Sequence, residues 1–237
     1  MKKAIVTGAN GNLGRDFVEM LSKNNYEIIA IDKCTKNIPN SKKISPVKLD
    51  ITDDVAVSLF YKKVGTIDLL VNNAGIGVFT PFEDRTAEEF KMVTDVNLLG
   101  TFLMSQGSIK LMKKQNYGKI VNIGSIYGLK SSDFRIYGLS GRNNSEVYSA
   151  TKAGIIHLTK YMAAHFGQYN IQTNCISPGG VFNNQSEDFI SNYKNKTPLG
   201  RMASTKDISQ ALEFLCSEKS NYLNGHNIVV DGGFVSW

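Results

Sequence analysis

Short apolar runs alternate with longer amphipathic stretches along the whole chain, and each run stops at a glycine or a polar residue. Such runs are typical of parallel strands buried on both faces, and the stretches between them have helical periodicity. Two of these stretches, residues 86–114 and 145–166, predict long helices. The alternation predicts an α/β fold in which helices cover both faces of a doubly wound parallel β-sheet. The predicted strands are residues 3–7, 28–31, 46–49, 67–71, 119–123, 171–176 and 227–230.

A glycine-rich loop joins the first predicted strand to a helical pattern that continues through Leu21. Glycines allow a tight turn and a close approach of the backbone to a ligand, and a helix N-terminus presents free N–H groups and a positive dipole. The order of strand, loop and helix therefore predicts a site for a pyrophosphate. The loop residues predicted to bind the cofactor are Gly8, Asn10, Gly11, Asn12, Leu13 and Gly14.

The second predicted strand ends on Asp32, within about 20 residues of this loop. A carboxylate at that point accepts hydrogen bonds from the hydroxyls of an adenosine ribose, and it repels a phosphate on the same ribose. Asp32 therefore predicts binding of NAD rather than NADP, although Lys33 and Lys36 follow closely and soften this preference. The alternative is an aspartate that only begins a turn.

Tyr148 and Lys152 stand four positions apart in the second long predicted helix, so that their side chains share one face. A lysine ammonium beside a phenol favours the phenolate and eases the movement of the phenol proton. The pair thus predicts a general acid/base at Tyr148. The alternative is a pair that only decorates a helix surface.

Polar and glycine residues follow four other predicted strands. Because ligands of such sheets bind beyond the carboxyl ends of the strands, these residues are predicted to converge on one site. They are Asp50 after the third strand, Asn72, Asn73, Ala74 and Gly75 after the fourth, Gly124 and Ser125 after the fifth, and Ser177, Pro178, Gly179 and Gly180 after the sixth.

The 237-residue chain has the length of one α/β domain, and no linker or repeat divides it. Its formal net charge is +6, but the lysines are scattered and form no basic stripe, which argues against nucleic acid as a partner. No apolar run reaches the length of a membrane span. Cys34, Cys175 and Cys216 match neither a disulfide framework nor a metal site, so we expect a cytoplasmic protein without a bound metal.

In the order of these motifs the chain resembles the short-chain dehydrogenase/reductase family, from Thr7 and Gly8 to the terminal stretch Val230 to Gly233. The resemblance implies a Rossmann-type fold and an oxidoreductase that moves a hydride between a nicotinamide and a carbonyl or alcohol carbon of a small molecule. It also implies a homodimer or homotetramer that pairs through the two long predicted helices.

The resemblance further implies roles for individual residues. Tyr148 would exchange a proton with the reacting oxygen, Ser125 would hydrogen-bond that oxygen, and Lys152 would hold the nicotinamide ribose and lower the pKa of the tyrosine. Asn97 would anchor a water that links Lys152 to solvent. The alternatives are that Ser125 caps a strand end and that Asn97 braces a helix. Other implied cofactor contacts are Asp50 and Ile51 at the adenine, Asn73, Ala74 and Gly75 at the adenosine ribose, and Pro178, Gly179, Gly180 and Val181 at the nicotinamide.

Two loop positions depart from the family pattern. Asn12 stands at the usual middle glycine of the first loop, and Gly11 lies one place earlier than that pattern has it. Asn183 stands where threonine is frequent, and its side chain can still hydrogen-bond a carboxamide or a phosphate of the cofactor.

Ser125 and Tyr148 are farther apart than is usual in the family, which makes residues 126–147 an extra segment near the substrate mouth. Tyr137 lies nearer the usual gap, but Gly141 rather than lysine follows it at the required spacing. Tyr148 therefore remains the predicted catalytic tyrosine.

The extra segment carries possible substrate contacts at Tyr127, Arg135 and Arg142, together with Asn143 and Asn144. Arginine forms bidentate hydrogen bonds to phosphate and asparagine suits hydroxyls, which favours a phosphorylated or nucleotide-linked sugar as substrate. The alternative is a loop that packs against a neighbouring subunit. The segment also resembles family members linked to flagellin or surface-polysaccharide sugar biosynthesis in bacteria.

Two other functions stay open from the sequence. One is a 3-oxoacyl thioester reductase, which a preference for NADPH would favour. The other is a dinucleotide-binding sensor or scaffold without turnover, which the retention of Asn97, Ser125, Tyr148 and Lys152 disfavours.

Overall fold

A parallel sheet forms the centre of the computed structural model, which describes residues 1–138, 140 and 142–237. Its strands are Lys2–Thr7 (β1), Tyr26–Asp32 (β2), Ile44–Lys48 (β3), Leu69–Asn72 (β4), Gly118–Ile123 (β5), Ile171–Pro178 (β6) and Asn227–Val230 (β7). They lie in the order β3-β2-β1-β4-β5-β6-β7, so the chain winds from the middle to one edge and then from the middle to the other. The predicted fold class is confirmed, and each predicted strand ends within two residues of the observed one.

Helices cover both faces of this sheet. They are Asn12–Lys23 (α1), Asp54–Lys63 (α2), Ala87–Thr94 (α3), Thr101–Gln115 (α4), Glu146–Phe166 (α5), Glu187–Lys196 (α6) and Thr205–Cys216 (α7).

The side chains of β1 show why the strands are apolar along their whole length. Ala4 and Val6 pack in the core beneath α1 and α7, whereas Ile5 between them packs on the opposite face beneath α2 and α4. Successive side chains of a strand point to opposite faces, so a strand with a helical layer on each side must be apolar at every position.

The first long predicted helix is interrupted in the structure. A π-helical turn at Asp95–Gly100 joins α3 to α4, which corrects the prediction of one continuous helix over residues 86–114. Such turns widen the backbone and are frequent at functional sites. The turn buries Asn97 completely, and Gly100 makes room for Ile51, because a Cβ at Gly100 would lie 2.5 Å from Ile51 Cδ1.

The second long predicted helix is confirmed as α5. Ser145 is its N-cap, and the Ser145 hydroxyl accepts a hydrogen bond from the backbone N–H of Tyr148 at 3.3 Å. This cap satisfies an N–H group that would otherwise lack a partner in the first turn. It fixes Tyr148 in that first turn, one helical turn before Lys152.

The described residues of the extra segment contact α6 and the C-terminal residues of the same chain. The segment forms short 3₁₀ turns at Ile126–Gly128 and Phe134–Tyr137, and the carboxylate of Asp133 forms an ion pair with Lys196 at the end of α6. A separate apolar cluster joins the segment to α6 and to the C-terminal residues. The buried members of that cluster are Ile126, Ile136, Tyr193, Met202 and Phe234.

Cys34, Cys175 and Cys216 are free thiols, the first exposed and the other two buried. None of the helices in the part of the chain that the structure describes combines the length and the apolar character needed to cross a membrane. Over the same residues, no three His, Cys, Asp or Glu side chains come together in a way that could hold a metal ion.

The contact between α2 and α4 depends on Gly107. A Cβ there would lie 2.2 Å from Cδ2 of Tyr61, whose buried hydroxyl is hydrogen-bonded to Met104 O and Ser108 Oγ, each at 2.8 Å. Overpacking costs about 1–3 kcal/mol, which exceeds the roughly 1 kcal/mol that alanine gains over glycine inside a helix. We therefore expect Gly107→Ala to lower the free energy of unfolding measured in urea.

Gly65→Ala is the matched control, because a Cβ at Gly65 meets no described atom within 4 Å. Its free energy of unfolding should stay within about 0.5 kcal/mol of the parent value. Equal stability of the two variants would contradict the packing of Tyr61 against α4.

Candidate active site

A cleft of about 580 Å³ opens at the carboxyl edge of the sheet, where β1 and β4 lie side by side and the winding direction changes. Open α/β sheets bind their ligands at this position. The predicted site residues that line it are Gly8, Gly11, Asn12, Leu13, Asp32, Lys33, Asp50, Ile51, Asn73, Ala74, Gly75, Ser125, Tyr148, Lys152, Pro178, Gly179 and Val181.

The glycine loop folds tightly because two of its positions tolerate no side chain. Gly8 has a φ of +62°, and a Cβ there would lie 2.7 Å from the Cα of Ala74. A Cβ at Gly14 would lie 2.0 Å from the carbonyl oxygen of Gly8. Asn12 turns its amide toward the Phe182 carbonyl, 3.4 Å away. The departure from the family pattern at Asn12 therefore leaves the loop intact.

The start of α1 at this loop has the features of an anion site. Its N-cap, Gly11, provides no side-chain cap, and the first turn contains no acidic residue. Uncapped N–H groups and the positive end of the helix dipole attract a phosphate. The buried Oδ1 of Asn10 has no hydrogen-bond partner among the described residues; it is an acceptor, so it suits a hydroxyl of the ligand rather than a phosphate. These observations fit a dinucleotide whose pyrophosphate lies against α1.

Asp32 and Asp50 stand at the adenosine end of the cleft. The two carboxylate oxygens of Asp32 accept hydrogen bonds from the backbone N–H groups of Asn10 and Cys34, each at 3.0 Å. Lys33 Nζ lies 2.9 Å from Asp50 Oδ2. Partial burial by itself would raise the pKa of the Asp50 carboxyl, but the hydrogen bond from Lys33 and those from Thr52 lower it overall. This end of the cleft therefore carries two ordered acidic groups and one cation that is already paired.

The loops after β1 and β4 are locked together by Thr7 and Asn73. The Thr7 hydroxyl accepts hydrogen bonds from the N–H groups of Asn73 and Ala74, at 3.0 and 3.1 Å. The Asn73 amide in turn donates to the carbonyls of Thr7 and Gly8. Asn73 therefore shapes the cleft by joining the two loops that border it. Thr7 takes part in the same hydrogen bonds, and the sequence analysis did not predict this role.

Lys152 is a buried cation at the catalytic end of the cleft, with 3% of its surface exposed. Its Nζ donates to the carbonyl of Ile123 at 2.7 Å. Burial lowers the pKa of Lys152 to about 8, and the nearby Cys175 offsets part of that effect. A Cβ at Gly75 would lie 3.3 Å from this Nζ, so the glycine keeps the approach to the ammonium open.

Tyr148 and Ser125 lie together beside this lysine. Burial raises the pKa of the Tyr148 phenol, and the neighbouring Ser125 hydroxyl lowers it in part. The Lys152 ammonium lies 5.6 Å from the centre of the tyrosine ring and is directed toward the Ile123 carbonyl. In this structure burial therefore outweighs the lowering of the tyrosine pKa that was expected from Lys152.

Ser125 also caps the turn that follows it, because its Oγ accepts a hydrogen bond from the N–H of Tyr127 at 3.1 Å. This contact matches the structural alternative for Ser125. A hydroxyl has one donor and two acceptor sites, so the cap leaves Ser125 able to bond the phenol of Tyr148.

Asn97 braces the loop after β4. Its Oδ1 accepts from the N–H of Ile76 at 2.9 Å, and its amide donates to the Ile76 carbonyl and to Thr151 Oγ1, each at 3.0 Å. The buried side chain therefore ties this loop to α5, next to Tyr148 and Lys152. The structure thus shows Asn97 in the bracing role that was the alternative from the sequence. Its role as a water anchor stays a prediction.

The structure does not bring the predicted arginines into the cleft. The Arg135 guanidinium forms two hydrogen bonds with the Asp133 carboxylate, at 2.9 and 2.7 Å, and its side chain is 82% exposed. The guanidinium of Arg142 lies 4.0 Å from the centre of the Phe79 ring, a cation–π contact. The structure therefore gives no support to the prediction that these two arginines bind a substrate phosphate, because the groups that they contact belong to the protein itself.

Six other predicted residues also stand outside the cleft lining: Asn10 and Asn97, described above, and Gly14, Gly180, Asn183 and Tyr127. Gly14 and Gly180 act through close packing, since a Cβ at Gly180 would lie 2.6 Å from the Tyr193 ring. Asn183 is exposed beyond Val181. Tyr127 lines a neighbouring cavity of about 550 Å³, and burial raises the pKa of its phenol.

Several apolar residues that the sequence analysis missed complete the cleft. Ile31, Leu49 and Ile123 are the last apolar residues before the polar ends of their strands, and Met92 and Val96 come from the helical stretch opposite. The first three could have been predicted as cleft residues, because each stands at the end of a predicted strand. Nothing in the sequence distinguished Met92 or Val96 from ordinary core residues.

Comparisons with known proteins agree with this geometry. A family model described as "Enoyl-(Acyl carrier protein) reductase" matches residues 13–235. The 3-oxoacyl-[acyl-carrier-protein] reductase FabG of Aquifex aeolicus is 33% identical over 249 residues, covering 98% of this chain and 96% of that protein.

Two solved structures show similar folds with nucleotides bound. A short chain dehydrogenase from Leptospira borgpetersenii with bound NAD⁺ is 45% identical, with a TM-score of 0.94 over 98% of this chain and 92% of that one. ElxO with NADP bound is 28% identical, with a TM-score of 0.85 over 100% of this chain and 99% of the other. Both forms of the nucleotide are therefore found among relatives of this chain.

We expect Asn97→Ala to loosen the cleft and to destabilise the protein. It removes the hydrogen bonds to the partly buried N–H and carbonyl of Ile76, at about 0.5–1.5 kcal/mol for each. Urea unfolding should show the loss of stability, and titration followed by NADH fluorescence should show weaker binding.

Thr151→Val is the matched control, since it removes only one of the three hydrogen bonds of Asn97. Its effect on both measurements should be smaller. An Asn97→Ala protein that equals Thr151→Val in stability and in NADH affinity would contradict the bracing role.

Proposed function

The chain is a member of the short-chain dehydrogenase/reductase family, and on that premise we propose that it transfers a hydride between NAD(H) and a secondary alcohol or ketone. One observation carries this proposal: Ser125, Tyr148 and Lys152 meet at one end of the cleft whose other end is formed by the glycine loop and Asp32. A dinucleotide that spans the cleft would present its nicotinamide to Tyr148.

The bound nicotinamide would supply or accept the hydride at the reacting carbon. In the reductive direction Tyr148 donates its phenolic proton to the carbonyl oxygen, while Ser125 hydrogen-bonds the same oxygen and orients it. The buried Lys152 ammonium would hold the nicotinamide ribose through its hydroxyls, and it stabilises the phenolate that remains. The opposite proton movement accompanies oxidation of an alcohol.

Asp32 supports NAD as the preferred nucleotide. Its carboxylate is fixed by two backbone N–H groups at the end of β2, where it can accept the ribose hydroxyls. A ribose phosphate at this point would face two carboxylates, Asp32 and Asp50. The net charge around the adenosine end therefore disfavours NADP.

For the substrate, a 3-oxoacyl thioester is the first candidate, with NADH as its reductant in place of the NADPH that would have favoured it from the sequence. The name of the Aquifex relative favours it, and so does the loss of the argument for a phosphorylated sugar, because Arg135 and Arg142 are engaged elsewhere.

A sugar derivative was favoured by the sequence, and the narrower resemblance was to enzymes of flagellin or surface-polysaccharide sugars. The relatives compared above carry no such name. The sugar substrate therefore stays a prediction without structural support, and a dinucleotide sensor without turnover is disfavoured by the complete group of Ser125, Tyr148 and Lys152.

We also propose that the protein acts as a homodimer or homotetramer. The long helices α4 and α5 and the π-helical turn before α4 leave large apolar side chains exposed at Leu99, Phe102 and Tyr161. Burying such side chains against a second copy is favourable. Sedimentation of the purified protein tests this directly.

The test of the proposed activity is the disappearance of NADH when the protein is given an acetoacetyl thioester, in parallel with keto sugars and keto acids. Turnover of the thioester alone would support the acyl candidate. Turnover of a keto sugar alone would restore the sugar candidate, and the absence of any nucleotide binding would overturn the proposal as a whole.

Tyr148→Phe should abolish turnover by removing the proton donor while keeping the ring. General acid–base catalysis contributes about 10²–10⁴-fold, so we expect a loss in that range, with the Kd for NADH unchanged within about twofold. Tyr137→Phe is the control, because Tyr137 is the competing tyrosine of the extra segment and should be dispensable. Substantial turnover by Tyr148→Phe would refute the assignment.

The rate of ketone reduction should depend on pH through Lys152. Its pKa is lowered to about 8, so its charge is present below that pH and is lost as the pH rises through it. Reduction measured as kcat/KM should therefore fall above about pH 8. Alcohol oxidation requires the phenolate of Tyr148 and should rise only at a higher pH, because burial raises the pKa of that phenol. A reductive profile that stays flat up to the ordinary pKa of lysine would contradict this account.

A further inference from the structure

Lys33 and Asp50 are neighbours because of the strand register. Asp32 at the end of β2 pairs with Lys48 at the end of β3, and the N–H of Leu49 continues the ladder to the Asp32 carbonyl at 3.1 Å. Lys33 lies one residue beyond Asp32, and Asp50 lies two residues beyond Lys48, so both emerge at the same edge of the cleft. This placement brings Lys33 Nζ to 2.9 Å from Asp50 Oδ2.

Asp50 is held in the orientation that receives this lysine. Its Oδ1 accepts hydrogen bonds from both the N–H and the hydroxyl of Thr52, at 3.0 and 2.8 Å. Only Oδ2 is left for Lys33, and it points across the cleft edge. The lysine is thus drawn toward the adenine side by a carboxylate that is itself fixed.

Lys33 is the basic side chain that lines the adenosine end of the cleft. A phosphate on the adenosine ribose needs a cation, and Asp32 offers it a carboxylate instead. To reach such a phosphate, Lys33 would have to leave Asp50. The ionised Asp50 would then remain nearby without its partner, and it would repel the same phosphate.

We propose that Asp50 withholds Lys33 from a ribose phosphate, and that Asp50 is thereby a second determinant, beside Asp32, of the preference for NAD over NADP. The proposal rests on the proposed function, since it requires that the cleft binds a nicotinamide dinucleotide. It makes Asp50 a specificity-determining residue in addition to its expected contact with the adenine.

The test is Asp50→Asn, with the ratio of the Kd for NADPH to the Kd for NADH as the readout. Asparagine has the same shape and keeps an oxygen for Thr52, but its amide N–H groups cannot hold the Lys33 ammonium. Both nucleotides carry the same adenine, so any change in the adenine contact cancels in the ratio. Fluorescence titration at low salt should show the ratio falling by about fivefold, as suits release of an exposed ion pair.

Lys33→Met distinguishes two ways in which Asp50 could disfavour NADPH. Asp50 could hold Lys33 away from the ribose phosphate, or it could repel that phosphate directly. In the parent protein Lys33→Met should leave the ratio unchanged within about twofold, because the lysine is already engaged. Combined with Asp50→Asn, it should abolish the gain in NADPH affinity. Lys36→Met in the same background is the matched control and should leave the gain in place, because Lys36 lies outside the cleft lining.

An unchanged ratio in Asp50→Asn would overturn the proposal, and so would a gain that persists when Lys33 is removed. A parent protein that prefers NADPH would overturn it as well. Parent protein that binds neither nucleotide would instead refute the proposed function. Thermal unfolding of each variant, with the parent transition expected, checks that the fold is retained.

Discussion

The contact between the loops after β1 and β4 is the constraint on which the site depends. Gly8 approaches Ala74 so closely that no Cβ fits between them. Four hydrogen bonds cross the same gap, and each has Thr7 or Asn73 as a partner. Asn97 then joins Ile76, farther along the same loop, to Thr151 of α5. The glycine loop and the catalytic helix are therefore positioned by one continuous set of short-range contacts.

The electrostatics of the cleft follow from burial. Lys152 is a cation held by a carbonyl instead of a carboxylate, so burial weakens its hold on the proton. Tyr148 experiences the opposite effect, because the charged form of a phenol is the one that burial disfavours. The resting site therefore holds a protonated phenol beside a lysine of lowered pKa, which is the state required to protonate a carbonyl oxygen.

The fold and the centre of the site were predictable because their physical requirements are local. A strand buried on both faces must be apolar throughout, and Gly8 must lack a side chain. Both requirements can be recognised in the sequence. The partners of long polar side chains cannot be recognised in the sequence in this way. Arg135 pairs with Asp133, Arg142 stacks on Phe79, and the Lys33–Asp50 pair forms only because β2 and β3 are adjacent in register. The π-helical turn at Asp95–Gly100 was likewise invisible, since its residues would also suit an α-helix.

The measurement that tests the central claim most directly is a crystal structure of the protein with NAD⁺. The account requires the pyrophosphate at the start of α1, the adenosine ribose on Asp32, and the nicotinamide ribose on Lys152 with the ring facing Tyr148. A dinucleotide bound outside the cleft, or one whose nicotinamide lies away from Tyr148, would contradict the account.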